Sequence, residues 1–321
     1  MSERLRVVVV GATGYTGAET LRWCLQHPSL ELVGATSRQM AGKRVGDVWP
    51  ALYGCDVQIT TAIPDADVLF LCLPHGEAAK LAPTLTHRIV IDLSGDHRLP
   101  EPAHSRAYSF PRAHEPWAYG LPELGVERLH GQTRIANPGC FATALALALL
   151  PMAGQLPARV HAVGLTGSTG SGAVAADGTH HPMRAENLRP YKVLTHQHVP
   201  EVVQAIGGSF VLDFVPISAP IRRGILVTIP LPGATLAAYR EFYADNPLVR
   251  VSPRPPELLH VLGTPRADLA VVASPDDPDG AVVFCAIDNL CRGAGSQAIA
   301  NLNLAMGWPM DLGLTAPGPA V

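Results

Sequence analysis

One cysteine in this chain stands where its position favours reactivity. In "NPGCFATALALALLP", residues 137–151, Cys140 follows a Pro-Gly turn and opens an apolar run of helical composition. A thiol at a helix start lies near N–H groups that lack intrahelical partners and near the positive end of the dipole, and both favour the thiolate. The competing reading is a small buried hydrophobe, the usual fate of a cysteine. The other five, Cys24, Cys55, Cys72, Cys285 and Cys291, form no C-x-x-C pair. No Cys/His cluster at zinc spacing is visible either, so neither a disulfide framework nor a metal site is expected.

Groups that could serve such a nucleophile follow it in the chain. "THHPMRAENLRPYKVLTHQHVPEVV" concentrates His180, His181, Arg184, Arg189, Lys192, His196, His198 and Glu201. Histidine can transfer protons near neutral pH, and the cations can bind a carboxylate or phosphate. Zinc competes for the paired histidines, but His196 and His198 have no carboxylate or thiol partners at motif spacing. Before them, "GLTGSTGSGA", residues 164–173, is dense in N–H and hydroxyl donors, among them Ser168, Thr169 and Gly170. It reads either as an oxyanion or phosphate cradle or as a flexible connector.

The first half supplies elements of a different kind. "RLRVVVV" runs directly into "GATGYTGAETLRWCLQHP", a buried strand, a glycine turn and a helix. Gly11, Gly14 and Gly17 form G-x-x-G-x-x-G, a relative of the dinucleotide fingerprint in which glycine lets the backbone approach a pyrophosphate at a helix N-terminus. Continuous apolar runs at "ELVGAT", "DVLFLCLP" and "RIVIDLS" suit parallel strands buried on both faces. An NAD site places an acidic residue after the second strand, about 20 residues beyond the glycines, to accept from the ribose 2′-hydroxyl. Here the strand ends in "TSRQ", and Ser37 and Arg38 suit a 2′-phosphate instead, which points to NADP(H). His75, after Pro74 in "LCLPHGEAA", stands at the ligand-binding edge of such a sheet.

After Cys140 the strand candidates "HAVGLTGSTGSG", "GILVTIPL", "DLAVVAS" and "AVVFCAIDNL" lie in an α+β pattern, with several joined without a helix. A largely antiparallel sheet is expected there, of a kind that often forms a dimer surface. At 321 residues the chain is long enough for two domains. Hydrophobic content of 47%, charged content of 16% and a formal charge of −3 give no global field for nucleic acid or anionic membrane. There is no long apolar run and no leader-like cleavage site, so a reducing cytoplasmic setting is expected. The Pro-rich stretch 252–268 reads as a lid or an oligomer contact, and "LTAPGPAV" as a loose terminus.

A nicotinamide site combined with a helix-start cysteine and histidine implies hydride transfer between the acid and aldehyde oxidation levels. A carboxylate resists hydride, whereas a thioester carbonyl accepts it, so covalent attachment divides one hard step into easier ones. Two other classes compete. A cysteine acyl-transferase or hydrolase would need no nucleotide, and an NADP-sensing protein would have a structural Cys140 of ordinary reactivity.

"IANPGCFATALALALLP", with "VVGATGYTGAE", "IDLSGDHRL", "YGLPEL", "PYKVLTHQHVPEV" and "RRGILVTI" in the same order, resembles the N-acetyl-γ-glutamyl-phosphate reductases of arginine biosynthesis. The resemblance covers essentially the whole chain. It implies an α/β protein with an NADP-binding Rossmann domain over 1–138 and a catalytic and dimerisation domain over 139–292. The second domain would be of the glyceraldehyde-3-phosphate/aspartate-semialdehyde dehydrogenase type, with a final segment, 293–321, returning to the first. It implies Cys140 as nucleophile and an H-x-H-x-P-E block at His196, His198, Pro200 and Glu201, with His198 as acid/base. Cofactor positions implied are Thr13, Gly14, Tyr15 and Thr16, then Ser37, Arg38 and Gln39, and Asn289 near the nicotinamide. "TGSTGSGAVAADGTHHPMR" and "MGWPMDLGL" depart from the usual members. They are similar to the relative that reduces aminoadipyl or glutamyl phosphate on the acidic carrier protein LysW. The implied substrate is thus a small acyl phosphate or its carrier-bound counterpart. Arg184, Arg189 and Lys192 either bind its anionic groups or dock the carrier. A homodimer or homotetramer is expected.

Overall fold

The computed structural model describes residues 4–111, 115–315 and 318, so most of the expected loose tail lies outside the described residues. Two compact units divide the chain, Met1–Pro138 with Ala294–Thr315, and Gly139–Gly293 with Ala316–Val321.

The first unit is built on a seven-stranded sheet. Its strands are β1 (Leu5–Val10), β2 (Leu30–Thr36), β3 (Ile59–Thr60), β4 (Val68–Leu71), β5 (Ile89–Asp92), β6 (Ala118–Tyr119) and β7 (Arg134–Ala136). They run in the order β3-β2-β1-β4-β5-β7-β6, and every pairing is parallel. Val7–Val10 and all of β4 and β5 are buried, as strands covered on both faces must be. The order reverses beside β1, the switch point at which open α/β sheets bind ligands. Helix Tyr15–Gln26 follows β1 and packs on the late helix Gly295–Ala305, where a Cβ at Gly295 would lie 3.1 Å from the Thr20 amide nitrogen. The late helix is buried along its whole length, including Gln297 and Asn301, whose amides donate to Gly120 O at 2.8 Å and Asn137 Oδ1 at 2.9 Å. A helix so enclosed must carry such polar pairs, because its amides have no water to bond.

The second unit holds another seven-stranded sheet: β8 (Arg159–Thr166), β9 (Arg189–Pro190), β10 (Val211–Ser218), β11 (Ile225–Pro230), β12 (Val249–Ser252), β13 (Ala267–Ala273) and β14 (Ala281–Ile287). The order is β12-β13-β14-β11-β8-β10-β9. Four pairings are antiparallel, but β8–β10 and β12–β13 are parallel, so the sheet is mixed. Helix Cys140–Leu149 lies on one face, and its residues from Phe141 to Leu149 are all buried with Ile225, Val227, Cys285 and Ile287. Tyr239 and Tyr243 donate to the carbonyls of Ala148 and Leu147 near its C-terminus, the latter at 2.6 Å. Those bonds satisfy groups that a buried helix end leaves open.

Among the described residues, no helix of the unit covers the opposite face of this sheet. The alternating pattern along β8 and β10 leaves Val163, Leu165, Val215 and Ile217 exposed or half-buried there. Register places Val215, Val163, Thr228 and Phe284 in one row across four strands. The His161–Asp213 pair, 3.2 Å apart, lies on the same face.

Candidate active site

In the first unit the three glycines of the β1 turn do different work. Gly11 has φ +85°, and a Cβ there would stand 2.3 Å from the Cys72 carbonyl oxygen. A Cβ at Gly17 would stand 2.3 Å from the Gly11 oxygen, so this glycine allows helix and strand to close together. Gly14 is the N-cap of helix Tyr15–Gln26, and a Cβ there would meet nothing nearer than 3.8 Å. Its open side, beside N–H groups at the helix start, is the space a pyrophosphate would fill. Thr13 Oγ1 lies 3.0 Å from Ser37 Oγ, tying this loop to the end of β2, and Trp49 Nε1 donates to Ala12 O at 2.9 Å. Arg38 and Gln39 are exposed beyond β2, and the Arg38 guanidinium stands 3.8 Å from Glu77. Tyr15 and Thr16 occupy the first turn of the helix. These residues fit a dinucleotide. His75 accepts from the Gly95 amide at 2.8 Å, which braces the neighbouring strand ends.

In the second unit Cys140 is the first residue of its helix, with Gly139 as N-cap. It is only partly buried, whereas the rest of the helix is enclosed. Two side chains at the start of one further helix converge on Gly139. The Glu201 carboxylate, fully buried at the start of helix Val199–Ile206, accepts from the Gly139 amide at 2.9 Å. His198 lies across the same residue, so near that a Cβ on Gly139 would fall 2.3 Å from Nε2. Glycine before Cys140 is therefore what allows the His198 ring to lie against this turn. On another side a Cβ at Gly293 would lie 2.7 Å from the Cys140 Cβ.

His196 has a different environment from His198. Its Nδ1 accepts from the His198 amide at 3.2 Å, and its ring meets Phe141, Phe214 and Tyr191 edge-on at 5.5, 5.5 and 5.8 Å. Burial, helped by the Lys192 charge, pushes its pKa down to about 4, so it is neutral near pH 7. Burial and the nearby Cys140 raise the Tyr191 phenol well above its ordinary range, so it stays protonated. Sequence reasoning missed Tyr191 and Gly293. "PYK" carries no chemical signature of its own, and a glycine's close approach depends on contacts remote in sequence.

The donor-rich loop is ordered as a short turn, Ser168–Ser171, rather than a loose connector. Ser168 and Thr169 amides donate to Ile221 and Arg222 carbonyls at 3.0 Å each. Thr169 Oγ1 accepts from Asn289 Nδ2 at 3.0 Å, while Asn289 Oδ1 accepts from the Gly224 amide at 2.6 Å. Asn289, expected near the nicotinamide, is thus buried and engaged in holding this loop. A cavity of about 500 Å³ is lined by Ser168, Thr179, His181, Arg184, Ile221 and Arg222, among others. A smaller one of about 80 Å³ runs past Gly170, Arg184 and Arg189 to Tyr191. Arg184 lines both, and it is buried with one guanidinium nitrogen, Nε, unbonded. Lys192 stands apart, donating to Gln197 at 2.8 Å and lining neither cavity. Among the described residues, no three His, Cys, Asp or Glu side chains gather as metal ligands.

Residues 6–132 match the family described as semialdehyde dehydrogenase, NAD binding domain, and residues 140–289 match its dimerisation domain. A Salinispora tropica protein named N-acetyl-gamma-glutamyl-phosphate reductase is 42% identical, covering 98% of each chain. A Deinococcus radiodurans protein named LysW-L-2-aminoadipate 6-phosphate reductase is 39% identical over 98% of this chain and 97% of its own. Aspartate semialdehyde dehydrogenase II of Vibrio cholerae shares the fold at TM-score 0.74 and 16% identity, over 94% of this chain and 98% of its own. The Cys140 unit thus corresponds to the dimerisation domain, and the glycine turn to the NAD-binding domain. The chain belongs to the semialdehyde dehydrogenase family, in the branch that holds the N-acetyl-γ-glutamyl-phosphate reductases and their LysW-linked counterpart, and it is an NAD(P)-binding oxidoreductase of that phosphorylating type.

Proposed function

We infer that this enzyme reduces N-acetyl-γ-glutamyl phosphate to N-acetylglutamate 5-semialdehyde and phosphate, with NADPH, by way of a thioester on Cys140. The observation that carries the reading is the convergence of Glu201 and His198 on the glycine before Cys140. The helix-start thiolate attacks the γ-carbonyl, the acyl–oxygen bond breaks, and phosphate leaves with that bond's electron pair. The open Gly14 turn, with Thr13, Tyr15 and Thr16, would hold NADPH, which when bound would supply the hydride that takes the thioester to the aldehyde level. His198 then protonates the thiohemiacetal oxygen and takes the proton back as the carbon–sulfur bond breaks, which releases aldehyde and restores the thiolate. His196 is the wrong acid, because it stays neutral; it holds the His198 backbone in place. Glu201 fixes the turn through Gly139.

Ser37 and Arg38, with no acid at the end of β2, favour NADP(H) over NAD(H). Arg184, with Ser168, Thr169 and Gly170, binds the anionic ends of the substrate. Lys192, directed to Gln197, tunes His196 rather than lining a cavity. The open apolar sheet face, Val163, Val215 and Phe284 at its centre, pairs two copies into a homodimer. The reading places the enzyme in the cytoplasm.

A second reading rests on the 500 Å³ cavity, which has exposed Arg222 and His181 at its edge and exceeds what a small acyl group needs. It would admit an acyl phosphate carried on the acidic protein LysW. The test is phosphate-dependent reduction of NADP by purified enzyme, offered free N-acetylglutamate semialdehyde or carrier-bound aminoadipate semialdehyde. Turnover of the free compound supports the first reading, and turnover of the carrier-bound compound alone replaces it with the second.

A further inference from the structure

We propose that the ion pair of half-buried Arg223 with buried Asp288 is a positioning element for Cys140, fixing together the turn that backs the nucleophile and the donor loop beside it. Neither residue belongs to the machinery described above. Asp288 directly follows β14 and has no exposed surface. One carboxylate oxygen accepts from Arg223 Nη2 at 2.8 Å and from the amides of Leu290 and Cys291 at 2.9 and 3.1 Å. The other accepts from the Gly263 amide at 2.6 Å and stands 2.8 Å from Arg223 Nε. Arg223 Nη2 also reaches Cys291 Sγ at 3.3 Å, and the Asp288 carbonyl accepts from the Gly293 amide at 2.9 Å.

Three segments meet at this pair. The turn 288–293 ends at Gly293, against the Cys140 Cβ. The segment 221–224 carries the carbonyls that hold Ser168 and Thr169, and its Gly224 amide is bonded to Asn289. The Pro-rich stretch contributes Gly263, and a Cβ on Gly224 would fall 2.6 Å from a Leu258 side-chain carbon. A role for that stretch follows: it closes the third side of the hub.

A charged pair does this differently from an apolar plug. Removing Arg223 leaves the buried Asp288 charge held only by the amides of Gly263, Leu290 and Cys291, in the turn that leads to the cysteine. Tyr191 is an ionisable neighbour of Cys140, His198 and Glu201 lie against the preceding Gly139, and His196, Lys192 and Arg184 stand behind them; Cys291, buried, lies against Arg223 itself. Loss of Arg223 exposes Cys140 to the Asp288 anion and disfavours the thiolate. Loss of the Asp288 charge leaves the Arg223 cation and favours it.

The pair's role rests on the reading of Cys140 as nucleophile, and the test separates the two. The rate of Cys140 alkylation by iodoacetamide is followed against pH, without substrate or nucleotide, in the native enzyme and in Arg223→Met, Arg223→Lys and Asp288→Asn. The native midpoint should lie below that of a free thiol; an ordinary midpoint removes the nucleophile reading itself. Arg223→Met should raise the midpoint by about one unit, a roughly tenfold slower reaction at fixed pH. Arg223→Lys, which keeps the charge, should restore most of the loss. Asp288→Asn should move the midpoint in the opposite direction. A merely structural pair would shift both variants the same way, and that result, or an unmoved midpoint in folded Arg223→Met, overturns the proposal. If Arg223→Met does not fold, the opposed signs expected of Arg223→Lys and Asp288→Asn relative to the native midpoint, small and upward against downward, decide it.

Discussion

Gly139→Ala adds one methyl at the point where the starts of two helices meet. The backbone there, φ −69° and ψ 149°, is ordinary for alanine, so the substitution imposes no conformational strain. The new Cβ would nevertheless sit 2.3 Å from His198 Nε2 and 2.5 Å from two ring carbons. The ring must withdraw by roughly 1 Å to reach contact distance. His198 is tethered at the head of its helix, with its own amide bonded to His196, so the displacement falls on the imidazole and, in the proposed mechanism, on its aim at Cys140. A misplacement of about 1 Å costs on the order of 10²-fold in rate. The expected result is kcat lower by about that factor with KM little changed, because Arg184 and the donor loop are untouched. Steady-state kinetics, with thermal unfolding and NADPH binding as controls, read this directly. A folded Gly139→Ala enzyme whose kcat stays within about threefold of native refutes the placement of His198 as the proton-transfer group.

Three other outcomes follow from the same geometry. Arg38→Ala should raise KM for NADPH about tenfold or more through loss of charge-assisted bonds to a 2′-phosphate, and leave use of NADH unchanged; equal effects on both nucleotides contradict the cofactor reading. His196 titrates near 4 in the fold and near 6.5 unfolded, so the unfolded chain binds the extra proton between those values. Its contribution, about 3 kcal/mol, is fully present above pH 6.5 and lost as pH falls toward 4. Urea titrations should therefore show native enzyme losing that much more stability than His196→Gln across the window, and parallel curves would contradict the assignment. Val163→Asp on the open face of the second sheet should convert a dimer to monomers in sedimentation without loss of secondary structure; an unchanged mass means another surface pairs the subunits.

Local pattern made much of this legible in advance. The Val7–Val10 strand and its glycine turn could be read because strand, turn and helix are contiguous and each glycine sits at a fixed offset. The Cys140 helix could be read because its whole length is apolar. Strand β10 was harder to see. "VLDFVPIS" carries a proline and an aspartate: Asp213 falls on the outward phase of a half-covered sheet, while Pro216 is buried and offers the ladder only its carbonyl, to the Tyr191 amide. Its parallel pairing with β8 follows from long-range packing, which no local run encodes. The site divides similarly. Residue types marked Cys140, His196, His198 and Glu201. Both histidines are buried, and the difference between them lies in their neighbours: Phe141, Tyr191 and Phe214, from distant segments, surround His196, while His198 lies against Gly139. Asn289 looked like a cofactor contact by resemblance, and its amide is engaged on Thr169 and Gly224. Gly293 and the Arg223–Asp288 pair carry meaning only through contacts made in three dimensions.

The central claim is a covalent thioester on Cys140. The most direct test mixes enzyme with N-acetyl-γ-glutamyl phosphate in the absence of NADPH, quenches in acid and maps the peptides by mass. One equivalent of phosphate released at once, with an N-acetylglutamyl group on the peptide containing Cys140, is the predicted result. Catalytic turnover without any acyl group on that peptide, or undiminished turnover by Cys140→Ser, would contradict it.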